Sequence, residues 1–242
     1  MGVGIAKKLP DWVRRNVELS SLFVFALVVV GVWALAELAD EVIEGSTRNL
    51  DRDILLLLRA ETVDDPVGPD WVEEVMRDLT ALGGIAVLTL TTVAVIGFFL
   101  LQRKYALMLY VIVAVGGGLL MSSAAKEAFD RPRPDLVPYG SLVHTASFPS
   151  GHSMMAAVAY LTLGVLVART LSRTRLKVYV LMLAVFATLL VGISRVYLGV
   201  HWPTDVVAGW LAGVVWASVC MLGARYLARR GQVEPEAGDE AT

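Results

Sequence analysis

The sequence predicts an all-α fold: an integral membrane six-transmembrane-helix bundle with short amphipathic helices in its first outer loop. Three observations lead there. Of 242 residues, 56% are hydrophobic and the mean hydropathy is +0.64, whereas soluble domains are about 45–50% apolar. Six stretches are apolar enough, and near enough to the ~20 residues that a bilayer crossing needs, to be spans. Finally, 13 of the 21 basic residues gather in the four segments that six crossings would place on one side, as the cytoplasmic side of a membrane protein requires.

The elements follow in order. Residues 1–18 carry Lys7, Lys8, Arg14 and Arg15 and are expected to be a cytoplasmic N-terminal segment. Span one covers 19–39. A basic start, an apolar run and Ala34-Leu35-Ala36 also resemble a secretory signal, but the run over 19–36 exceeds the usual core of about 7–15 residues. The outer loop 40–82 is acidic, with Asp40, Glu41, Glu44, Asp51, Asp53, Glu61, Asp64 and Asp65. Within it Leu50, Ile54, Leu57 and Leu58 share one helical face, as do Trp71, Val72, Val75, Met76, Leu79 and Leu82. Such stripes predict two short helices that lie in the interface or cap the bundle. They either cover it or help to admit a lipid.

Span two covers 83–101 and span three 105–122, joined by Arg103 and Lys104. Gly116-Gly117-Gly118 and Ser122-Ser123 read as close helix packing. Span four covers 153–169 and span five 178–194, joined by Arg169, Arg173, Arg175 and Lys177. Span six covers 205–227 and ends on Arg225, Arg229 and Arg230. The domain therefore runs over 19–230, and the polar, acidic tail 231–242 is expected to be disordered. Both termini are expected in the cytoplasm, with loops 40–82, 123–152 and 195–204 outside. In a bacterium that is an inner-membrane protein facing the periplasm or exterior.

Several functions are excluded. No basic tract with interleaved aromatics points to nucleic acid. The single Cys220 forms no intrachain disulfide and no cysteine-based zinc cluster. The span interiors are mostly Leu, Val and Ala, with few of the polar residues that a transport path would need, which makes a transporter the weaker reading.

Apart from the acidic first loop, the outward polar residues collect in three clusters at span ends. The first is Lys126-Glu127-Ala128-Phe129-Asp130-Arg131-Pro132-Arg133-Pro134. Its prolines stop the helix, and a rigid turn with cations Lys126 and Arg133 can hold an anion. Asp130 and Arg131 read as a local pair or loop scaffold. The second is Ser147-Phe148-Pro149-Ser150-Gly151-His152. A helix N-terminus binds phosphate, Gly151 lets the backbone approach closely, Ser150 is a natural N-cap and His152 can donate a proton near neutral pH. The third runs from Ser194-Arg195 to His201-Trp202-Pro203-Thr204-Asp205. Asp205 lies four residues after His201, so its carboxylate can fix one ring nitrogen and leave the other to attack. Together the clusters supply two histidines, three cations and a phosphate-ready helix start, the parts of a phosphoryl-transfer site. His144 fits none of them and reads as a surface histidine.

These clusters resemble the three signature motifs of the type 2 phosphatidic acid phosphatase (PAP2) superfamily: Lys126…Arg133-Pro134, Pro149-Ser150-Gly151-His152 and Ser194-Arg195…His201…Asp205. The resemblance covers nearly all of 19–227, with no motif position departing. It implies a membrane lipid phosphatase acting on undecaprenyl pyrophosphate, phosphatidic acid, diacylglycerol pyrophosphate or phosphatidylglycerol phosphate. His201 would attack phosphorus and Asp205 orient it. His152 would protonate the leaving oxygen and then activate water. Lys126, Arg133 and Arg195, with Ser150 and the Gly151 N–H, would hold the phosphoryl oxygens. It implies no metal and no other cofactor; the partners are the lipid phosphate and the bilayer, with no nucleic acid. His201 must start neutral and His152 protonated, so a bell-shaped pH profile is expected. A phosphotransferase using the same phosphohistidine is the alternative, and a noncatalytic transporter or scaffold the more distant one.

Overall fold

The computed structural model describes residues 19–60, 62, 65–135 and 146–229. The two terminal segments and His144 lie outside them. Among the described residues the chain is helical throughout: α1 Leu19–Glu44, α2 Arg48–Leu57, α3 Asp70–Ala81, α4 Ile85–Leu101, α5 Tyr105–Ala128, α6 Gly151–Thr170, α7 Thr174–Tyr197 and α8 Pro203–Arg229. An isolated bridge between Arg59 and Pro66 is the extended pairing seen among them.

Five helices, α1, α5, α6, α7 and α8, are each long and apolar enough to cross a membrane. The expected second span is α4, which has 17 residues. It reaches that length only together with α3, from which it is bent by 42°. Gly83, in the break, sets that bend close to the bundle. A Cβ there would stand 2.4 Å from Val191 Cγ1 and 3.1 Å from the His152 carbonyl oxygen. Large apolar side chains such as Phe23, Trp33, Leu120 and Tyr179 are exposed along the outer helix faces, as in a protein whose solvent is hydrocarbon.

The most enclosed helix is α6, which packs against α5, α7 and α8, while α1 lies on α8. Small residues allow this. Ala156, Ala157 and Ala159 on α6 are buried. On α8, a Cβ at Gly209 would come within 2.6 Å of the Ser150 carbonyl oxygen, and one at Gly213 within 2.6 Å of that of Met154. Backbones in such close contact are how helices associate in lipid, where apolar burial gives no advantage. Of the glycine triplet, Gly117 meets the Trp216 ring and Gly118 meets Val158, while Gly116 faces open space.

Two expectations about helix extent and facing need correction. The third span was expected to end near 122, but α5 runs to Ala128. Alanines sustain it and Lys126 sits in its last turn, where a cation complements the helix dipole. On α2 the expected stripe holds in part: Ile54 and Leu58 pack against the bundle, but Leu50 and Leu57 are exposed, Leu57 by 78%. The docked face is centred instead on Asp51 and Leu55, both fully buried, and Leu55 packs with Val196 and Val206. A carboxylate can sit on that face only because it meets partners there, described next.

Candidate active site

Four helix ends build the site, and in each case local chain chemistry sets the geometry. α5 stops before Pro132 and presents Lys126 from its final turn. α6 starts at Gly151, with the Ser150 hydroxyl accepting from Ser153 N at 3.4 Å as its N-cap. α7 carries Arg195 in its last turn. α8 begins with Pro203, and Asp205, at its third position, accepts from the backbone N–H of Trp202 at 2.9 Å. This is the reciprocal half of a capping box, so ordinary helix-start physics fixes the Asp205 carboxylate.

The ends converge. Lys126, Arg133, Gly151, His152, Arg195 and His201 line one cavity of about 560 Å³. Asp205 stands behind His201, with Oδ2 3.4 Å from Nδ1. Arg133 Nη1 lies 3.3 Å from Nε2 of the same ring and 3.0 Å from the Val200 carbonyl oxygen to which it donates. A guanidinium has only donors. Its contact therefore assigns the lone pair to Nε2 and the proton to Nδ1, facing Asp205. Burial lowers the pKa of His201 to about 4; the Asp205 hydrogen bond opposes this, and Arg195 and Arg133 reinforce it. Near pH 7 the ring is thus neutral, with its free nitrogen toward the cavity. Arg195 donates to Thr80 Oγ1 of α3 at 3.3 Å, and its buried Nε–H meets no acceptor among the described residues.

Ser150 differs from the other expected phosphate contacts. It is fully buried, its hydroxyl accepts from Ser153 Oγ at 3.0 Å, and it is not among the residues lining the cavity. It caps the start of α6, whose first residues, Gly151 and His152, line the cavity.

Sequence reasoning missed three residues. Arg131 is not a local partner of Asp130, which is exposed. Arg131 reaches forward along the chain to the third cluster, donating to Asp205 Oδ1 at 2.6 Å and Thr204 Oγ1 at 2.8 Å, and back to Asp51 Oδ2 at 2.6 Å. Asp51 accepts from the Thr204 N–H at 2.9 Å. Ser147 donates to Asp205 Oδ2 and lies 3.4 Å from His201 Nδ1. Long-range partners outcompete the neighbour in sequence because they are buried and fixed, whereas Asp130 is solvated. A faint signal existed for Asp51: it is the acidic residue flanked by apolar positions on the face of α2 that repeats at 51, 54, 55 and 58.

The PAP2 superfamily model matches residues 104–229. Phosphatidylglycerophosphatase B of Bacillus subtilis is 36% identical over 151 residues, which is 60% of this chain and 71% of that protein. Undecaprenyl-diphosphatase of Sulfolobus acidocaldarius is 43% identical over 67 residues, 28% of either chain. The crystal structure of the transmembrane PAP2 type phosphatidylglycerolphosphate phosphatase from Bacillus subtilis superposes with a TM-score of 0.65 at 28% identity, covering 86% of this chain and 96% of that one. With the motif residues gathered at one cavity and these likenesses spanning most of the fold, the chain belongs to the PAP2 superfamily, in its branch of membrane-embedded lipid phosphatases.

Proposed function

We propose that the chain hydrolyses a phosphomonoester or pyrophosphate carried by a membrane lipid, through a phosphohistidine at His201. The shape of the cavity carries this reading. Its polar end holds Lys126, Arg133, His152, Arg195 and His201, and its walls are Leu88, Val93 and Ile96 of α4 with Ile112, Val115 and Leu119 of α5. A phosphate head with a hydrocarbon tail fits both ends at once; a soluble phosphate leaves the apolar wall unused.

The chemistry follows from the positions. The phosphoryl group binds among Lys126, Arg133, Arg195 and the N-terminus of α6, drawing Arg133 off His201 Nε2. Nε2 attacks phosphorus in line, and the bond to the lipid oxygen breaks as His152 gives that oxygen its proton. The product leaves as an alcohol, or as a monophosphate when the substrate is a pyrophosphate. Nδ1 keeps its proton toward Asp205, which offsets the positive charge of the phosphorylated ring. Water then gives a proton to His152 and attacks the phosphorus, the N–P bond breaks, and inorganic phosphate departs.

Phosphatidylglycerol phosphate is the first substrate to test, because the B. subtilis phosphatase resembles this chain over most of its length. Undecaprenyl pyrophosphate, phosphatidic acid and diacylglycerol pyrophosphate offer the same head and tail. The basic residues of 1–18, 103–104, 169–177 and 225–230 support six crossings, with α3–α4 as one bent span and the site on the outer face.

The test is phosphate release in detergent from these four lipids and from a soluble phosphomonoester, with acid-labile labelling of the protein. Wild-type enzyme should release phosphate from at least one lipid, His201→Ala should abolish both turnover and label, and His152→Ala should lose least with the best leaving group. Turnover by His201→Ala at the wild-type rate would sink the proposal.

A further inference from the structure

Among its described residues, the acidic first loop sends one fully buried carboxylate, Asp51, into the back of the site. It is not among the residues that line the cavity. Its Oδ1 accepts from the Thr204 N–H at 2.9 Å and its Oδ2 from the Thr204 hydroxyl at 2.7 Å, which closes one of the open donors at the start of α8. Oδ2 also meets Arg131 Nη2, while Nη1 of the same guanidinium meets Asp205 Oδ1, both at 2.6 Å. Arg131 is only 12% exposed and lies over the Trp202 ring, 5.6 Å from its centroid. The order from loop to nucleophile is Asp51, Arg131, Asp205, His201.

We infer that Asp51 and Arg131 are positioning residues for the nucleophile, and that Asp51 serves to keep the negative charge of Asp205 available to His201. The inference rests on the phosphohistidine reading above. Arg133, Arg195, Lys126 and His152 face His201 from the cavity side, a cationic array suited to phosphate and hostile to a positively charged ring. Arg131 adds a further cation behind it. Held by Asp205 alone, Arg131 would cancel the one carboxylate that offsets the phosphorylated imidazole. Shared between Asp51 and Asp205, it leaves the trio with one net negative charge, while its fork fixes Asp205 Oδ1 and leaves Oδ2 to Nδ1. Ser147 and the Trp202 N–H complete the Oδ2 shell.

Charge arithmetic gives a test that a purely structural role does not pass. Asp51→Asn keeps the shape and the acceptor for Thr204 but leaves the trio neutral. Arg131→Gln leaves two unbridged carboxylates. The double variant restores one net negative charge with two amides that can bond each other. Loss of outer partners of oriented histidines costs about 10- to 100-fold in metal sites. On that scale Asp51→Asn should lower kcat about 10- to 100-fold with KM within about threefold, and slow formation of the phosphoenzyme equally. The acid limb of its kcat/KM should move to lower pH, because a ring that has lost a nearby negative charge is harder to protonate. The double variant should recover at least about fivefold over Asp51→Asn, the non-additivity expected of coupled groups.

A kcat for Asp51→Asn within twofold of wild type overturns the inference, as does a double variant worse than either single. If the singles do not fold, a folded double variant within about tenfold of wild type supports the charge argument, and one more than about a hundredfold slower refutes it. Failure of all three variants to fold assigns the network to stability and also overturns it. If the wild type releases no phosphate from any lipid, or carries no label on His201, the enzyme reading itself has failed; an active wild type beside an unimpaired Asp51→Asn removes only the present inference.

Discussion

Replacing Gly151 by Ala should separate stability from activity, because the same methyl group acts oppositely on each. Gly151 is the first residue of α6, behind the Ser150 cap. Alanine is a better helix former than glycine by up to about 1 kcal/mol, so the helix start gains a fraction of that. The added Cβ would stand 3.2 Å from Lys126 Nζ and 3.3 Å from Ser122 Oγ. Both distances are tighter than ordinary contact, so a neighbour must give by a few tenths of an ångström. Lys126 Nζ, at the end of a flexible chain, is the atom that yields, and it yields away from the phosphate. A charge-assisted hydrogen bond contributes about 1.5–3 kcal/mol; weakening it and crowding the helix N–H groups should cost about 1.4–2.7 kcal/mol in kcat/KM, or roughly 10- to 100-fold. The assay pairs phosphate release with thermal unfolding in the same detergent. A kcat/KM within threefold of wild type in a variant that melts at or above the wild-type temperature would refute the reasoning. So would a variant whose activity falls only in step with its stability.

Other perturbations follow from the same geometry. His201 titrates at about 4 in the folded protein against 6.5 for an unperturbed ring. The unfolded chain therefore takes up a proton between those values that the folded chain refuses. Stability from this group is complete above about pH 6.5 and declines as pH falls toward 4, by about 3 kcal/mol in all. Thermal melts from pH 7 to 4 should show it, and the acid limb of kcat/KM should fall near 4; a limb near 6.5 with flat melts contradicts the burial argument. Gly209→Ala places a methyl 2.6 Å from the Ser150 carbonyl oxygen. It should wedge α8 from α6, cost about 1–3 kcal/mol and reduce activity by separating His152 from His201. Unchanged melting and turnover would show that the helices can part without consequence. On α2, Leu55→Ala removes a fully buried side chain and Leu57→Ala one that is 78% exposed. Melting should record a loss of about 2–5 kcal/mol for the first and almost none for the second; the reverse order would mean that the helix docks by its other face.

Much of this molecule is legible in its residues taken in order. Length and apolarity select the crossing helices, because a backbone in hydrocarbon must bond internally. Each motif is local. Pro149-Ser150-Gly151-His152 writes a helix start with a cap and a histidine. Four residues from His201 to Asp205 bring a carboxylate to the ring. Lys126 and Arg195 occupy final helical turns. Because each of these signals is local in the chain, the candidate site residues are legible from sequence.

The remainder is decided by contacts between residues far apart in the chain. The bend of α3 against α4 and the docked face of α2 depend on the bundle beneath them. Asp51 and Arg131 are 80 residues apart, and Arg131 and Asp205 are 74 apart. In sequence, Asp51 looks like one more acid of a solvated loop and Arg131 like the partner of its neighbour. A short polar side chain carries no local record of whom it will meet. Whether a carboxylate is wetted or buried depends on what other elements bring to it, and an unpaired buried charge is too costly to persist. The sequence by itself therefore determined the membrane fold and the chemical parts, while the tertiary structure decided how those parts are wired behind His201.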